Sequence, residues 1–228
     1  MPFLKCIKES VTKSRIEACI RNGPRGYLLF PYRTTNVIYK GDWLNDQRHG
    51  KGVELIEATG LQYEGEWSHD KKHGYGELRR IFPDKNRKKI YTGNWVNGKK
   101  DGFGRMWYKS GGFYEGDFKE NERHGFGRMW KHDGTFYQGT WKNNVYHGDG
   151  MLILANGNRY EGYFSNGKKE GRGIFYHIET GQFQDGCWLD DKCEVSTVED
   201  IHWRQSARVP TPYPIPKVRF DSSSHNKM

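Results

Sequence analysis

The residues best suited to chemistry in this sequence are four histidines, His49, His73, His124 and His147, each directly before a Gly-x-Gly. Recurring histidines invite a metal reading, and geometry opposes it. If each copy is a β-hairpin, equivalent residues of successive copies lie two strands apart, roughly 10 Å. A metal gathers its ligands at about 2 Å. Two further copies carry Asp101 and Glu170 at this position. The pattern therefore predicts bracing of a turn, with no metal and no cofactor. The Gly-x-Gly has part of a phosphate-loop pattern, but no third glycine completes a dinucleotide fingerprint and no Gly-Lys-Ser/Thr occurs. There is no nucleophile elbow and no HExxH. Glu115, Asp117 and Glu161 recur at strand positions where pairing with Arg105, Arg128 or Arg172 is the expected use. No constellation predicts catalysis.

The elements that position these residues are repeats. The segments YKGDW (39–43), YEGEW (63–67), YTGNW (91–95), YEGDF (114–118), YQGTW (137–141) and YEGYF (160–164) each precede a Gly-x-Gly, which ends at Gly52, Gly76, Gly104, Gly127, Gly150 and Gly173. The step from the leading tyrosine to that last glycine is 13 positions in all six copies, and the tyrosines are 24, 28, 23, 23 and 23 apart. A degenerate seventh copy reads FQDGCW (183–188). A period of this size signals stacked supersecondary units. Alternate residues of a strand share a face, so Tyr114, Gly116 and Phe118 point one way and Glu115 and Asp117 the other. Turn residues separate the halves: Asn45-Asp46, Asn97-Gly98, Asn143-Asn144 and Asn166-Gly167. The expectation is a hairpin per copy with a loop of about six residues. Rings lying over glycine backbone would bury area that a single layer otherwise lacks. Twelve to fourteen strands at ~4.8 Å give a rod or half-trough about 60 Å long.

Composition agrees with an ordered array. The 228 residues are 29% charged, which would suit disorder, but 15% are aromatic and these are regularly spaced. Mean hydropathy is −0.97. Of the +9 net charge, residues 1–30 contribute +4, 31–191 +3 and 192–228 +2. The basic ends suit acidic partners or lipid headgroups. The array is nearly neutral and its aromatics belong to the repeat, so nucleic acid is not an expected ligand. Cys6, Cys19, Cys187 and Cys193 form no CxxC pair. With no signal-peptide pattern, no Asn-x-Ser/Thr and no long apolar run, an intracellular, cytoplasmic protein is expected. The Met-Pro start and the absence of a CaaX box offer no lipid anchor.

The YEGxW and HGxG signatures in strict register resemble the MORN repeat family over about residues 37–190. The resemblance implies an all-β fold, an elongated single-layer antiparallel sheet of stacked MORN β-hairpins with short flanking helix or extended tails. Three segments follow: a basic N-terminal segment (1–36), the array of six full copies and one degenerate copy (37–190), and a C-terminal segment (191–228). Capping-box patterns predict short helices over 12–23 and 196–205. PTPYPIP (210–216) is expected to be extended. Family members that are enzymes carry a separate catalytic domain, for which this sequence has no room. Others sit at membranes and bind phosphoinositides. Relatives are associated with spermatogenesis, the sperm flagellum or cilium and the acrosome, as adaptors or structural parts, which implies axonemal or sperm-assembly partners.

The expected function is a non-catalytic scaffold that holds a helix or extended peptide of a partner in the trough. Side chains outside the repeat frame, Lys51, Tyr75, Phe103, Phe126, Asp149 and Arg172, are free to recognise a partner. Trp107 and Trp130 share a side with Phe103 and Phe126 and would extend an aromatic patch. Tyr75, Phe103, Trp107, Phe126 and Trp130 are thus the candidate protein-binding residues. The alternative is peripheral membrane or phosphoinositide attachment. An inserted connection, PDKNRKK (83–89), offers Lys85, Arg87, Lys88 and Lys89 to an acidic partner or anionic lipid.

Overall fold

The computed structural model describes residues 23–32 and 35–201. The helix expected over 12–23 and the extended 210–216 segment lie essentially outside these residues. The strands in the first half of the chain are Gly23–Tyr32 (β1), Thr35–Leu44 (β2), Gln47–Ile56 (β3), Leu61–Ser68 (β4), Lys71–Ile81 (β5), Arg87–Val96 (β6) and Lys99–Trp107 (β7). Those in the second half are Phe113–Lys119 (β8), Glu122–Trp130 (β9), Phe136–Lys142 (β10), Val145–Ile153 (β11), Arg159–Ser165 (β12), Lys168–His177 (β13), Gln182–Leu189 (β14) and Lys192–Asp200 (β15). They form one open sheet in chain order, β1 to β15, and the described residues contain no helix. The chain divides into two compact units, one up to Gly102 and one from Phe103.

Each repeat is a hairpin, and its turn is tighter than the expected six residues. Only two residues separate β2 from β3, and both have positive φ, Asn45 at 48° and Asp46 at 62°. Asn143 and Asn144 do the same between β10 and β11, at 49° and 71°. Two left-handed residues match the twist of flanking strands, which is why Asn and Asp fill these sites. The residues assigned to a longer loop rejoin the ladder through a bulge. In the first hairpin the register slips between Gly41 and Trp43, and the extra length is taken up around Gly50, at φ 66°.

In the first unit, Tyr39, Trp43, Tyr63, Trp67, Tyr91 and Trp95 are all buried on one face. Tyr39 lies across Gly41 and Gly52, which face each other over the β2–β3 pair. A Cβ on Gly52 would run into the Tyr39 ring. The Tyr39 hydroxyl donates to the Asp42 carbonyl at 3.0 Å. Each tryptophan of the next hairpin then stands edge-on to this tyrosine: Tyr39–Trp67 centroids are 5.3 Å apart at 83°, and Tyr63–Trp95 centroids 5.4 Å apart at 84°. The Trp67 Nε1 donates to the Gly52 carbonyl at 3.2 Å. Rings over bare backbone therefore join one hairpin to the next, each edge-to-face pair adding about 0.5–1.5 kcal/mol beyond its buried area.

The second unit repeats this ladder with Tyr114, Phe118, Tyr137, Trp141, Tyr160, Phe164 and Trp188. Its last hairpin corrects two expectations. The helix read over 196–205 is strand up to Asp200, and β15 pairs with β14 from Leu189↔Lys192 to Gln182↔Asp200. The Ser196 hydroxyl, read as a helix cap, instead accepts from Gln184 Nε2 at 2.8 Å. The β-branched Val195, Thr197 and Val198 suit the pleat better than a helical turn. Paired strands run beyond both bounds of 37–190, through β1 at one end and β15 at the other, and among the described residues the sheet has fifteen strands, against the twelve to fourteen expected.

Candidate functional site

The face opposite the ladder carries the aromatics proposed for binding. Tyr75, Phe103 and Phe126 are 58%, 49% and 53% exposed. Each is the middle residue of its Gly-x-Gly, and the local backbone explains the exposure. The first glycine has positive φ, 61° at Gly74 and 60° at Gly125. The space beside it is filled by an acid on the neighbouring strand, Glu66 or Asp117. That acid also accepts from the next backbone amide: Asp117 Oδ2 from Phe126 N at 3.2 Å, Glu66 Oε1 from Tyr75 N at 3.3 Å, and Asp42 Oδ2 from Lys51 N at 3.0 Å. The carboxylate secures the bulge and leaves the middle side chain outside.

Trp107 and Trp130 lie on that face in a different row. Trp107 contacts the buried Phe113 at 5.2 Å, and Trp130 lies between Phe113 at 5.4 Å and the buried Phe136 at 5.1 Å. Four residues of strand separate Phe126 from Trp130, about 13 Å. The row between holds Glu115, Arg128 and Gln138. Arg105 pairs with Glu115 at 3.0 Å, Arg128 donates to Gln138 at 3.1 Å, and Arg172 pairs with Asp185 at 3.3 Å. The tryptophans are thus packing residues, while Phe103 and Phe126 are presented to solvent. Tyr75 belongs to the first unit and the other four candidates to the second.

The basic residues near the inserted connection divide between loop and strand. Lys85 lies in the short loop at φ 65°, and Arg87, Lys88 and Lys89 begin β6. All four are exposed, and Lys89 pairs with Glu77 at 3.2 Å.

Sequence reasoning passed over the cations on the ladder face. Nine residues after the leading tyrosine stand Arg48, Lys72, Lys100, Arg123, Tyr146 and Lys169. The charges of the five cations, all but Tyr146, sit over the rings. Arg48 Cζ is 4.2 Å from the Trp67 centroid, Lys72 Nζ 5.0 Å from Tyr63, and Lys100 Nζ 5.3 Å from Tyr91. In the second unit Arg123 Cζ is 4.3 Å from Trp141 and Lys169 Nζ 5.0 Å from Trp188. The signal was available in the register of the copies, but it needed the bulge to be known before the face could be assigned. Burial holds the Lys100 amine below its usual range. It pushes the ladder phenols up, to about 12 for Tyr39 and Tyr160, and further for Tyr63, Tyr91, Tyr114 and Tyr137.

The histidines do not converge. His49 packs edge-on to His69 at 5.7 Å, and His147 lies 6.2 Å from Tyr163. Among the described residues no group of three His, Cys, Asp or Glu is placed to hold a metal. No helix among them is long and apolar enough to cross a membrane.

The family model described as MORN repeat matches six segments, residues 39–56, 63–80, 91–113, 114–136, 137–159 and 160–177, which together make up more than half of the chain. Comparison with curated proteins finds no match.

Proposed function

Because the chain belongs to the MORN repeat family, we propose that it is a non-catalytic scaffold or adaptor that captures other proteins on its repeat sheet. One observation carries this reading. Tyr75, Phe103 and Phe126 are held out in solvent at positions where the repeat frame also accommodates Lys51, Asp149 and Arg172. Large exposed aromatics that packing does not require are the residues most often found at the centre of protein contacts. The partner segment is a helix or an extended peptide.

The repeat number, the RNG at 21–23 and the YPIPKV at 213–218 resemble MORN repeat-containing protein 3. That resemblance supports a role in sperm or ciliary assemblies, with the protein in the cytoplasm at the flagellum, cilium or acrosome and axonemal or sperm-assembly components as its partners. The test is substitution of Tyr75, Phe103 and Phe126 by serine, followed by affinity purification from germ-line or ciliated tissue. Trp107 and Trp130 stay intact because they pack against Phe113 and Phe136. The expected result is loss of the partners with unchanged circular dichroism. Full retention of the same partners removes the proposal.

A second reading, peripheral attachment to anionic or phosphoinositide membranes, draws on the exposed Lys85, Arg87, Lys88 and Lys89, the last of which also pairs with Glu77. Each contributes up to about 1 kcal/mol at an anionic surface. Vesicle flotation with and without acidic lipid, at two salt concentrations, separates it from the first.

A further inference from the structure

The ladder face of the second unit holds one arginine whose surroundings differ from those of its counterpart in the first. Arg48 is neutralised by its own hairpins. It pairs with Glu54, and its Nε lies 3.1 Å from Asp70 Oδ1. Its backbone amide donates to the same Asp70 oxygen at 2.9 Å, and its guanidinium donates to the Asp70 carbonyl at 2.8 Å. Arg123 keeps this geometry with uncharged partners. Its amide donates to Asn144 Oδ1 at 2.9 Å, and its guanidinium donates to the Asn144 carbonyl at 2.9 Å. Met129 Sδ stands 3.8 Å from one guanidinium nitrogen, at the position that Glu54 takes beside Arg48. Both acids of the first copy have become neutral residues of similar shape, and the arginine has remained.

The charge is also reachable. Arg123, Lys131, Trp141, Asn144, Val145 and Tyr146 line a shallow depression, and no carboxylate is among its walls. The floor is aromatic: Arg123 lies over Trp141 at 4.3 Å, and Tyr146 stacks on Tyr137 at 3.8 Å. Lys131 brings a second cation, 5.6 Å from the Tyr146 centroid. The stacked guanidinium is oriented before any ligand arrives: Nε lies 3.4 Å from Asn144 Oδ1 and each Nη group has one partner, which leaves the second hydrogens of the two Nη groups for a ligand. A planar fork suits a carboxylate in two-point contact. Arg48 shows which group this position of the repeat accepts, since carboxylates occupy it there.

The geometry points to a subsite between β9, β10 and β11 that binds a glutamate or aspartate side chain of a partner segment. This rests on the scaffold reading and adds the partner's chemistry. The ligand supplies the charge that the first copy carries internally, and the exposed Val145 at the rim admits an apolar neighbour of the acid.

The probe is a ten-residue peptide alternating glutamate with leucine, beside the same peptide with glutamine for every glutamate. Binding to the full chain is followed by fluorescence anisotropy, and the site by NMR of the Arg123 Nε–H and the Trp141 indole N–H. The glutamate peptide is expected to bind at least about 10-fold more tightly and to shift both signals, with affinity falling as salt rises. Asn144→Asp restores the internal acid without removing the arginine and is expected to abolish that preference. Arg123→Gln should do the same, while Arg48→Gln should leave it intact. Equal binding of the two peptides, no binding at millimolar concentration, or an unaffected Asn144→Asp protein overturns the proposal. So does a shift of these signals by inorganic phosphate or phosphoinositide vesicles alone. Failure here, with partner capture still lost in the Tyr75, Phe103 and Phe126 serine variants, leaves the scaffold standing without this subsite. Retained capture in those variants beside a positive peptide result removes the exposed-aromatic reading alone.

Discussion

The two units share a ladder face and differ on the other. Behind the ladder of the first unit, the row Ile38, Leu55, Gln62, Arg79 and Lys89 is largely polar. Arg79 organises it, donating to Gln62 at 2.7 Å and to Glu77 at 3.3 Å and pairing with Glu64. The corresponding row of the second unit runs Phe113, Trp130 and Phe136, ring against ring, then Ile153, before Arg159 stacked on Tyr176 continues it. One architecture thus tolerates either an ion network or an apolar row on its second face. The common ladder holds the hairpins together, and the other face is free to specialise.

The difference predicts unequal costs for equivalent deletions. Phe136→Ala should destabilise the second unit by about 3–5 kcal/mol, because it empties a fully buried site between Trp130 and Ile153. Gln62→Ala, at the matching position of the first unit, should cost under about 1 kcal/mol in the same urea titration. Similar values for the two would break the contrast. Gly127→Ala and Gly52→Ala should cost about 1–3 kcal/mol each, and by like amounts, because each added Cβ meets a ladder tyrosine. An unequal pair in thermal melts would mean that the shared face is not equivalent in the two units.

Alkaline titration probes that shared face. Tyr39 and Tyr160 are pushed from 10 to about 12 by burial. Above pH 10 the unfolded chain loses these protons first, so ΔG of unfolding falls by up to about 1.4 kcal/mol per pH unit for each such tyrosine. Melting temperature should be flat below pH 9 and drop between 10 and 12, with the ladder tyrosines' share of the tyrosinate absorbance appearing only on unfolding. Early ionisation without unfolding would show the rings to be accessible. On the other face, Arg79→Ala should cost about 1 kcal/mol, partly mimicked by 1 M salt in the wild type.

Much of the ladder was legible from the residues. Tyr39, Gly41 and Trp43 must share a face by parity alone, and the matching glycines at 52 and 76 locate the facing strands. Two features were not legible. Spacing does not give the turn length, because a two-residue turn followed by a bulge and a six-residue loop have the same spacing in one dimension; only the register at Gly41 and Trp43 separates them. Alternation alone puts Phe126 and Trp130 on one side, and only the register shows the row of Glu115, Arg128 and Gln138 between them.

The sequence by itself determined the period, the face of each ladder ring and the glycines beneath it, because these follow from side-chain alternation and from the steric need for a missing Cβ. Tertiary structure alone decided that β15 completes the last hairpin, that acids secure the bulges, and that Arg48 meets Asp70 while Arg123 meets Asn144. The two arginine contacts join residues more than twenty positions apart and the bulge contacts residues nine apart, and all of them exist only once the register of the strands is set.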